Sequence, residues 1–151
     1  MRSRVRRVVV DARNARGSEY RRVLATIAKK GACPFCPKNF RYHKHSILAR
    51  RNGWIITRIS WPYKNTRYHF LLIGEKHRVT LAQMTARDMA ALLYLARHVA
   101  CQYHIRGGAL AMRFGDTRLT GATVVHMHAH LIVPKLCPKK GRALVVEFPI
   151  G

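Results

Sequence analysis

Acidic residues are scarce in this 151-residue chain: six Asp and Glu stand against 29 Lys and Arg, a formal charge of +23 with histidine neutral. From Tyr20 to Gly74 there is no acidic residue, while 12 Lys or Arg fall in that stretch. The imbalance argues against a chain that lives free of polyanions; nucleic acid, a ribonucleoprotein particle or an anionic membrane would supply the missing negative charge. Long apolar runs are also missing. Nothing approaches the ~20 apolar residues of a membrane span, so no spanning helix is expected. Cysteine is sparse, at 33, 36, 101 and 137, too few for the disulfide framework of a small secreted domain. That usage points to a reducing compartment, the cytoplasm or an organelle matrix. Repeats and low-complexity segments are absent as well.

What is present suits one domain: the length, and 48% hydrophobic residues, enough for a core. Residues 1–16 carry six Arg and are expected to form a basic arm ahead of a single domain at 17–151. The arm is Arg-rich like an organelle-targeting peptide, but Asp11 and Glu19 follow closely, against that reading. Residues 18–30 have helical spacing, with Gly31 as the stop. Asn52-Gly53 between alternating segments predicts a hairpin of strands at 46–50 and 54–59. Residues 69–73 read as a buried strand. Thr85 and Asp88 open the longest helix, 86–103, whose stripe of Met89, Leu92, Leu93, Ala96, Val99 and Ala100 should face a core that also takes Cys101. Strands are expected at 109–113 and 123–133, and the apolar run 143–148 should pair at a sheet edge. Helices separating antiparallel strands make the fold class α+β.

The informative string is His126-Met127-His128-Ala129-His130. In a strand, residues i, i+2 and i+4 share one face. Three imidazoles would therefore line one side while Met127, Ala129 and Leu131 fill the other. A solvated strand face more often carries Thr, Lys or Glu, so this one reads as a working site. Cys33-Pro34-Phe35-Cys36 reads as half a metal site or a redox pair, since two cysteines at that spacing can reach one tetrahedral ion as thiolates.

The string resembles the signature of the histidine-triad (HIT) superfamily, His-x-His-x-His followed by two apolar residues. The resemblance extends over HFLLIGEKHRVTLAQM and GGALAMRFGDTRLTGATVVHMHAHLIVP, and with CPFC it covers roughly residues 30–135. It implies an antiparallel sheet of about five strands with one long helix and a short N-terminal helix. It also implies an enzyme acting on phosphorus anhydrides, in which His128 attacks the α-phosphorus of a nucleotide and water or phosphate resolves the nucleotidyl-histidine. His130 would donate to the phosphate and assist the leaving group. A His at that place, rather than the Gln of uridylyltransferase relatives, favours a hydrolase or phosphorylase. Thr123 and Gly121 would contact phosphate, and His69 would stand behind the triad. The family's Asn ahead of the catalytic loop is missing; Arg113, Gly115 and Asp116 occupy that region as candidate substrate contacts. Similarity to the zinc-bearing branch, which includes galactose-1-phosphate uridylyltransferase, implies structural Zn²⁺ on Cys33, Cys36, His77 and His126. Relatives often pair, so a homodimer is expected.

Charge supports a second reading from a different class. Basic residues from Arg41 to Arg67 are interleaved with Tyr42, Trp54, Trp61, Tyr63 and Tyr68, a pattern suited to phosphate tracking and base stacking. On that reading the chain is a nucleic-acid- or ribosome-associated binding protein with an idle or secondary active site. His43 and His45, in the same basic stretch, read as polyanion contacts or plain surface.

Overall fold

The computed structural model describes residues 8–151. Arg2, Arg4, Arg6 and Arg7 of the expected arm lie outside the described residues. Val9 and Val10 are buried; Val10 bridges Val124, and Asp11 N–H donates to the Thr123 carbonyl at 2.8 Å.

Helix α1 (Ser18–Lys30) has Glu19 in its first turn and Lys29 and Lys30 in its last, charges that complement its dipole. Gly31 ends it at φ 64°, a left-handed conformation that glycine adopts without strain. Strands β1 (Ile47–Arg51) and β2 (Trp54–Arg58) form the expected hairpin, with Asn52 and Gly53 both at positive φ, as a type I′ turn requires. Next come β3 (Thr66–Gly74), helix α2 (Ala86–Gln102), β4 (Ala109–Arg113), a short helix α3 (Thr117–Thr120) and β5 (His128–Pro134). The order β1-β2-β3-β5-β4 gives a five-stranded antiparallel sheet, which makes the fold α+β with one long helix.

Pleat alternation divides the core in two. On one face Trp54, Ile56, Phe70, Leu72, Ala129 and Leu131 pack under α2. On the other, Ile55, Leu71 and Ile73 pack with Leu24 and Ile27 of α1 and with Val9 and Val10.

Three expectations need correction. The stripe of α2 is rotated: Leu92, Ala96 and Val99 are buried as expected, but Met89 and Leu93 are about half exposed, and Asp88, Ala91 and Leu95 are buried in their place. The cause is Asp88, which turns inward to accept from Trp54 Nε1 at 2.8 Å and to pair with Arg78 at 2.7 Å. Cys101 falls on the exposed side. The strand expected at 123–133 begins only at His128, because β4 reaches no further than the Arg113–His128 pair. Before it, residues 123–125 bond to the N-terminal segment, and Met127 N–H donates to the Arg78 carbonyl at 2.7 Å. The run at 143–148 does not join the main sheet. Arg142–Ala143 pairs with Leu136–Cys137 as a small hairpin (β7 and β6), and the following residues cross the α1 face of the sheet without regular structure. Asn65 Nδ2 holds the Val145 carbonyl at 2.8 Å, and Pro149 has no N–H to give a ladder.

Candidate functional site

Strand β5 is central, so His128 and His130 are delivered between neighbours on both sides: Ile73 and Arg113 flank His128, and Leu71 and Ala111 flank His130. Both rings point to the α1 face, are at most 5% exposed and line one cavity of about 460 Å³. Burial first, then the nearby Arg113 charge, pushes His128 down to about 3; burial first, then the neighbouring His128 and His69 rings, holds His130 well below its ordinary value. Both are neutral at pH 7.

The hydrogen bonds fix which nitrogen carries each proton. His128 Nδ1 lies 2.6 Å from the His126 carbonyl, which can only accept, so Nδ1 holds the proton and Nε2 keeps its lone pair. Behind His130 the logic runs the other way. Tyr63 N–H donates to His69 Nδ1 at 3.2 Å, which leaves the proton on His69 Nε2. That proton is directed at His130 Nδ1, 2.9 Å away. His130 must then carry its own proton on Nε2, an atom that is buried without a partner. The site thus presents a nucleophilic nitrogen on His128 beside a hydrogen-bond donor on His130.

His126 precedes the strand and faces elsewhere. Its Nδ1 lies 3.3 Å from Cys33 Sγ, 3.9 Å from Cys36 Sγ and 3.2 Å from His77 Nδ1, while Cys36 Sγ and His77 Nδ1 are 3.6 Å apart. One donor atom from each of the four residues lies within 4.8 Å of the others. A tetrahedron with Zn–S near ~2.3 Å and Zn–N near ~2.0 Å has edges of roughly 3.3–3.8 Å, and Cys₂His₂ is a donor set that Zn²⁺ takes. His126 Nε2 donates to the Gly74 carbonyl at 2.5 Å, which leaves Nδ1 unprotonated and aimed at the two sulfurs. Burial raises the Cys33 thiol to about 12 in the metal-free chain, and a cation there would bring it down. The residues fit the ion.

The cavity has an apolar floor of Val23, Leu24, Ile27, Phe35 and Leu71, and a rim with Arg16, Lys44, Lys64 and Arg113 against one acid, Glu19. Arg113 is held by the Pro149 carbonyl (2.9 Å), the Tyr63 hydroxyl (3.0 Å) and the Gly121 carbonyl (3.3 Å), and its guanidinium lies 4.6 Å from the Phe148 ring. Thr123 meets the Tyr20 hydroxyl at 2.7 Å, and Tyr20 stacks on Trp61 at 4.6 Å.

Of the residues expected from sequence, the cavity gathers His128, His130, Thr123, Arg113 and Gly121. His69 stands one bond behind it, and His126 joins Cys33, Cys36 and His77. Gly115 and Asp116 are not brought in. Gly115 N–H bonds the Val79 carbonyl at 2.8 Å, and Asp116 caps α3 and pairs with Arg118 at 2.6 Å. Sequence reasoning did not assign Tyr20, Phe148 or Pro149 to the site. Nor did it place His43, whose ring stacks on Phe40 at 4.1 Å and lines the cavity. Trp61 and Tyr63 carried a signal, aromatics in a Pro-containing loop, but it was read as a polyanion surface.

Residues 64–136 match the family model for the HIT domain. No curated protein matches the chain by sequence. Among solved structures, the chain is similar to a HIT family hydrolase from Legionella pneumophila, at 22% identity over 70% of this chain and 95% of that one, with a TM-score of 0.55. It is also similar to a zinc-bound histidine triad family protein from Mycobacterium smegmatis, at 21% identity over 74% of this chain and 82% of the other, TM-score 0.54. A third similarity is to a histidine triad protein from Clostridium difficile, at 19% identity over 70% and 93% of the two chains, TM-score 0.53.

Proposed function

We propose that this chain, whose residues 64–136 match the HIT-domain model, is a nucleotidyl hydrolase or phosphorylase working through His128. The observation that carries the proposal is the pair of opposite tautomers on one strand face: a bare Nε2 on His128 and a protonated, unpartnered Nε2 on His130. His128 Nε2 attacks the α-phosphorus; the P–N bond forms as the P–O bond to the leaving group breaks. His130 Nε2–H bonds the departing oxygen, which leaves as a phosphate anion and needs no proton. The imidazolium formed on His128 is stabilised through Nδ1–H and the His126 carbonyl. Water or inorganic phosphate then attacks phosphorus, the P–N electron pair returns to Nε2, and with water a proton goes to solvent.

The other roles follow from placement. The nucleoside lies on the apolar floor, and Arg113 and Thr123 take phosphate oxygens, while the Gly121 N–H is already given to the Thr117 carbonyl at 3.0 Å. Bound at Cys33, Cys36, His77 and His126, Zn²⁺ would supply a structural tie between the residue 33–36 turn and the segment that presents His128. The substrate class is a nucleotide joined through a phosphoanhydride. A homodimer fits the exposed Leu110 on edge strand β4, and sedimentation would report it.

The test is intact-protein mass spectrometry after incubation with nucleoside polyphosphates, dinucleoside polyphosphates and adenylated DNA ends. A nucleotide-sized adduct on the wild type, absent from His128→Ala, supports the mechanism. Normal turnover by His128→Ala removes His128 as the nucleophile.

A further inference from the structure

All six carboxylates of the chain are spent on ion pairs: Asp11 with Arg13, Glu147 with Arg16, Glu19 with Lys44, Glu75 with Arg50, Asp88 with Arg78 and Asp116 with Arg118. None of these pairs involves Arg51, Arg58, Arg67, Arg87, Arg97 or Arg106, and all six of those arginines are exposed. They gather around α2, on the face of the sheet opposite the cavity. Arg51 lies 4.5 Å over the Tyr94 ring, and Arg87 reaches Asn52 Oδ1 at 3.4 Å, both near the β1–β2 turn. Toward the other end of the helix, Arg58 lies 5.2 Å from the Tyr103 ring and 5.8 Å from Tyr68, and Arg67 lies 5.3 Å from Tyr68. Arg97 stands on the outer side of α2, and Arg106 follows the helix.

We propose that this α2 face is a docking surface for single-stranded nucleic acid, separate from the catalytic cavity. The occupant is set by charge and ring chemistry. A surface of one sign, with no carboxylate left to compensate it, suits a phosphate backbone. Arginine planes already laid on tyrosine rings, one of them (Tyr94) 47% exposed, add stacking that unpaired bases can use and a closed duplex does not offer. The helix of 17 residues is about 25 Å long, room for a site of a few nucleotides. The basic and aromatic residues interleaved along the sequence do not form one surface. Trp54 is fully buried and Trp61 and Tyr63 belong to the cavity, so only Arg51, Arg58, Arg67 and Tyr68 of that set reach the α2 face. The inference does not depend on the catalytic reading, because nothing in it uses His128.

The experiment measures anisotropy of a fluorescein-labelled 20-nucleotide oligo(U) RNA against the full chain from 50 to 300 mM KCl. One triple variant, Arg51→Gln/Arg58→Gln/Arg97→Gln, discharges the α2 face. A second, Lys29→Gln/Lys30→Gln/Lys38→Gln, removes the same charge from exposed positions around the end of α1. The first should weaken binding at least tenfold and flatten the slope of log K against log salt by about 2, roughly 0.7 for each lost contact. The second should stay within about twofold. Tyr94→Ala, which leaves the charge intact, should weaken binding several-fold. Equal losses in the two triple variants would overturn the assignment in favour of diffuse attraction. So would an unchanged affinity in the first variant, or binding to phosphatidylserine vesicles without binding to the RNA.

Discussion

His126 offers its ring to the Cys₂His₂ cluster and its carbonyl to His128 Nδ1, so the candidate metal site and the proposed nucleophile meet in one residue. Cys33→Ser should lose zinc by elemental analysis and lower the melting temperature on the order of 5 °C, as for ~2 kcal/mol in a domain of this size. Its turnover should fall too, because the segment that sets the His128 tautomer loses its anchor. Unchanged zinc content would remove the site. In the proposed mechanism His69, 2.9 Å from His130 Nδ1, acts as a positioning residue for His130. In His69→Phe the proton pointed at His130 Nδ1 is gone, and His130 is free to place its own proton on either nitrogen. The expected result is a kcat about 10²-fold lower with KM little changed, and His69→Gln, whose amide can still donate, should recover part of it. A KM effect alone would refute the relay.

At the scale of elements, the sequence was most legible where one local signal decided the outcome. Asn52-Gly53 specified its hairpin, Gly31 stopped α1, and the histidine alternation placed His128 and His130 on one face, while His126, ahead of the strand, turned to the Cys/His cluster. It was least legible where a distant partner decided. Nothing in the spacing of α2 says that Asp88 turns inward to Trp54 and Arg78, contacts that put a charged residue on the buried side of the helix. Phe148 read as strand because its apolar neighbours favour one, yet Arg113 and Tyr63 hold its segment against the cavity. Gly115 and Asp116 sat beside a matched motif, but the Val79 carbonyl takes the Gly115 N–H and capping of α3 takes the Asp116 carboxylate. One glycine was also opaque: a Cβ on Gly108 would meet the Ile132 carbonyl at 2.5 Å, so β4 must shift away from β5 to accept it. Gly108→Ala should therefore destabilise by roughly 1–3 kcal/mol, as overpacking does. It should also disturb Arg113 at the far end of β4, read as weaker nucleotide binding. A wild-type melting curve would show the approach to be slack.

For the whole molecule, buried histidines set the acid limit. Burial pushes both His43 and His69 down to about 4, so each stays neutral in the folded chain after its unfolded counterpart, near ~6.5, has taken a proton. The unfolded state binds more protons in that window. Stability should be steady above about pH 6.5 and fall as pH drops toward 4, by up to about 1.4 kcal/mol per pH unit for each group. Melting curves from pH 8 to pH 4 would show it, and a flat profile would mean that these rings titrate normally.

The two tryptophans divide the molecule's intrinsic emission between two reporters. Trp54 is sealed under α2 with its indole N–H on Asp88, so its light follows core integrity alone. Trp61 sits at the cavity wall, stacked on Tyr20 and with Lys44 4.5 Å from its ring. With Trp54→Phe, the remaining fluorescence becomes a label-free gauge of whether the cavity is filled, and with Trp61→Phe it becomes a gauge of whether the chain is folded.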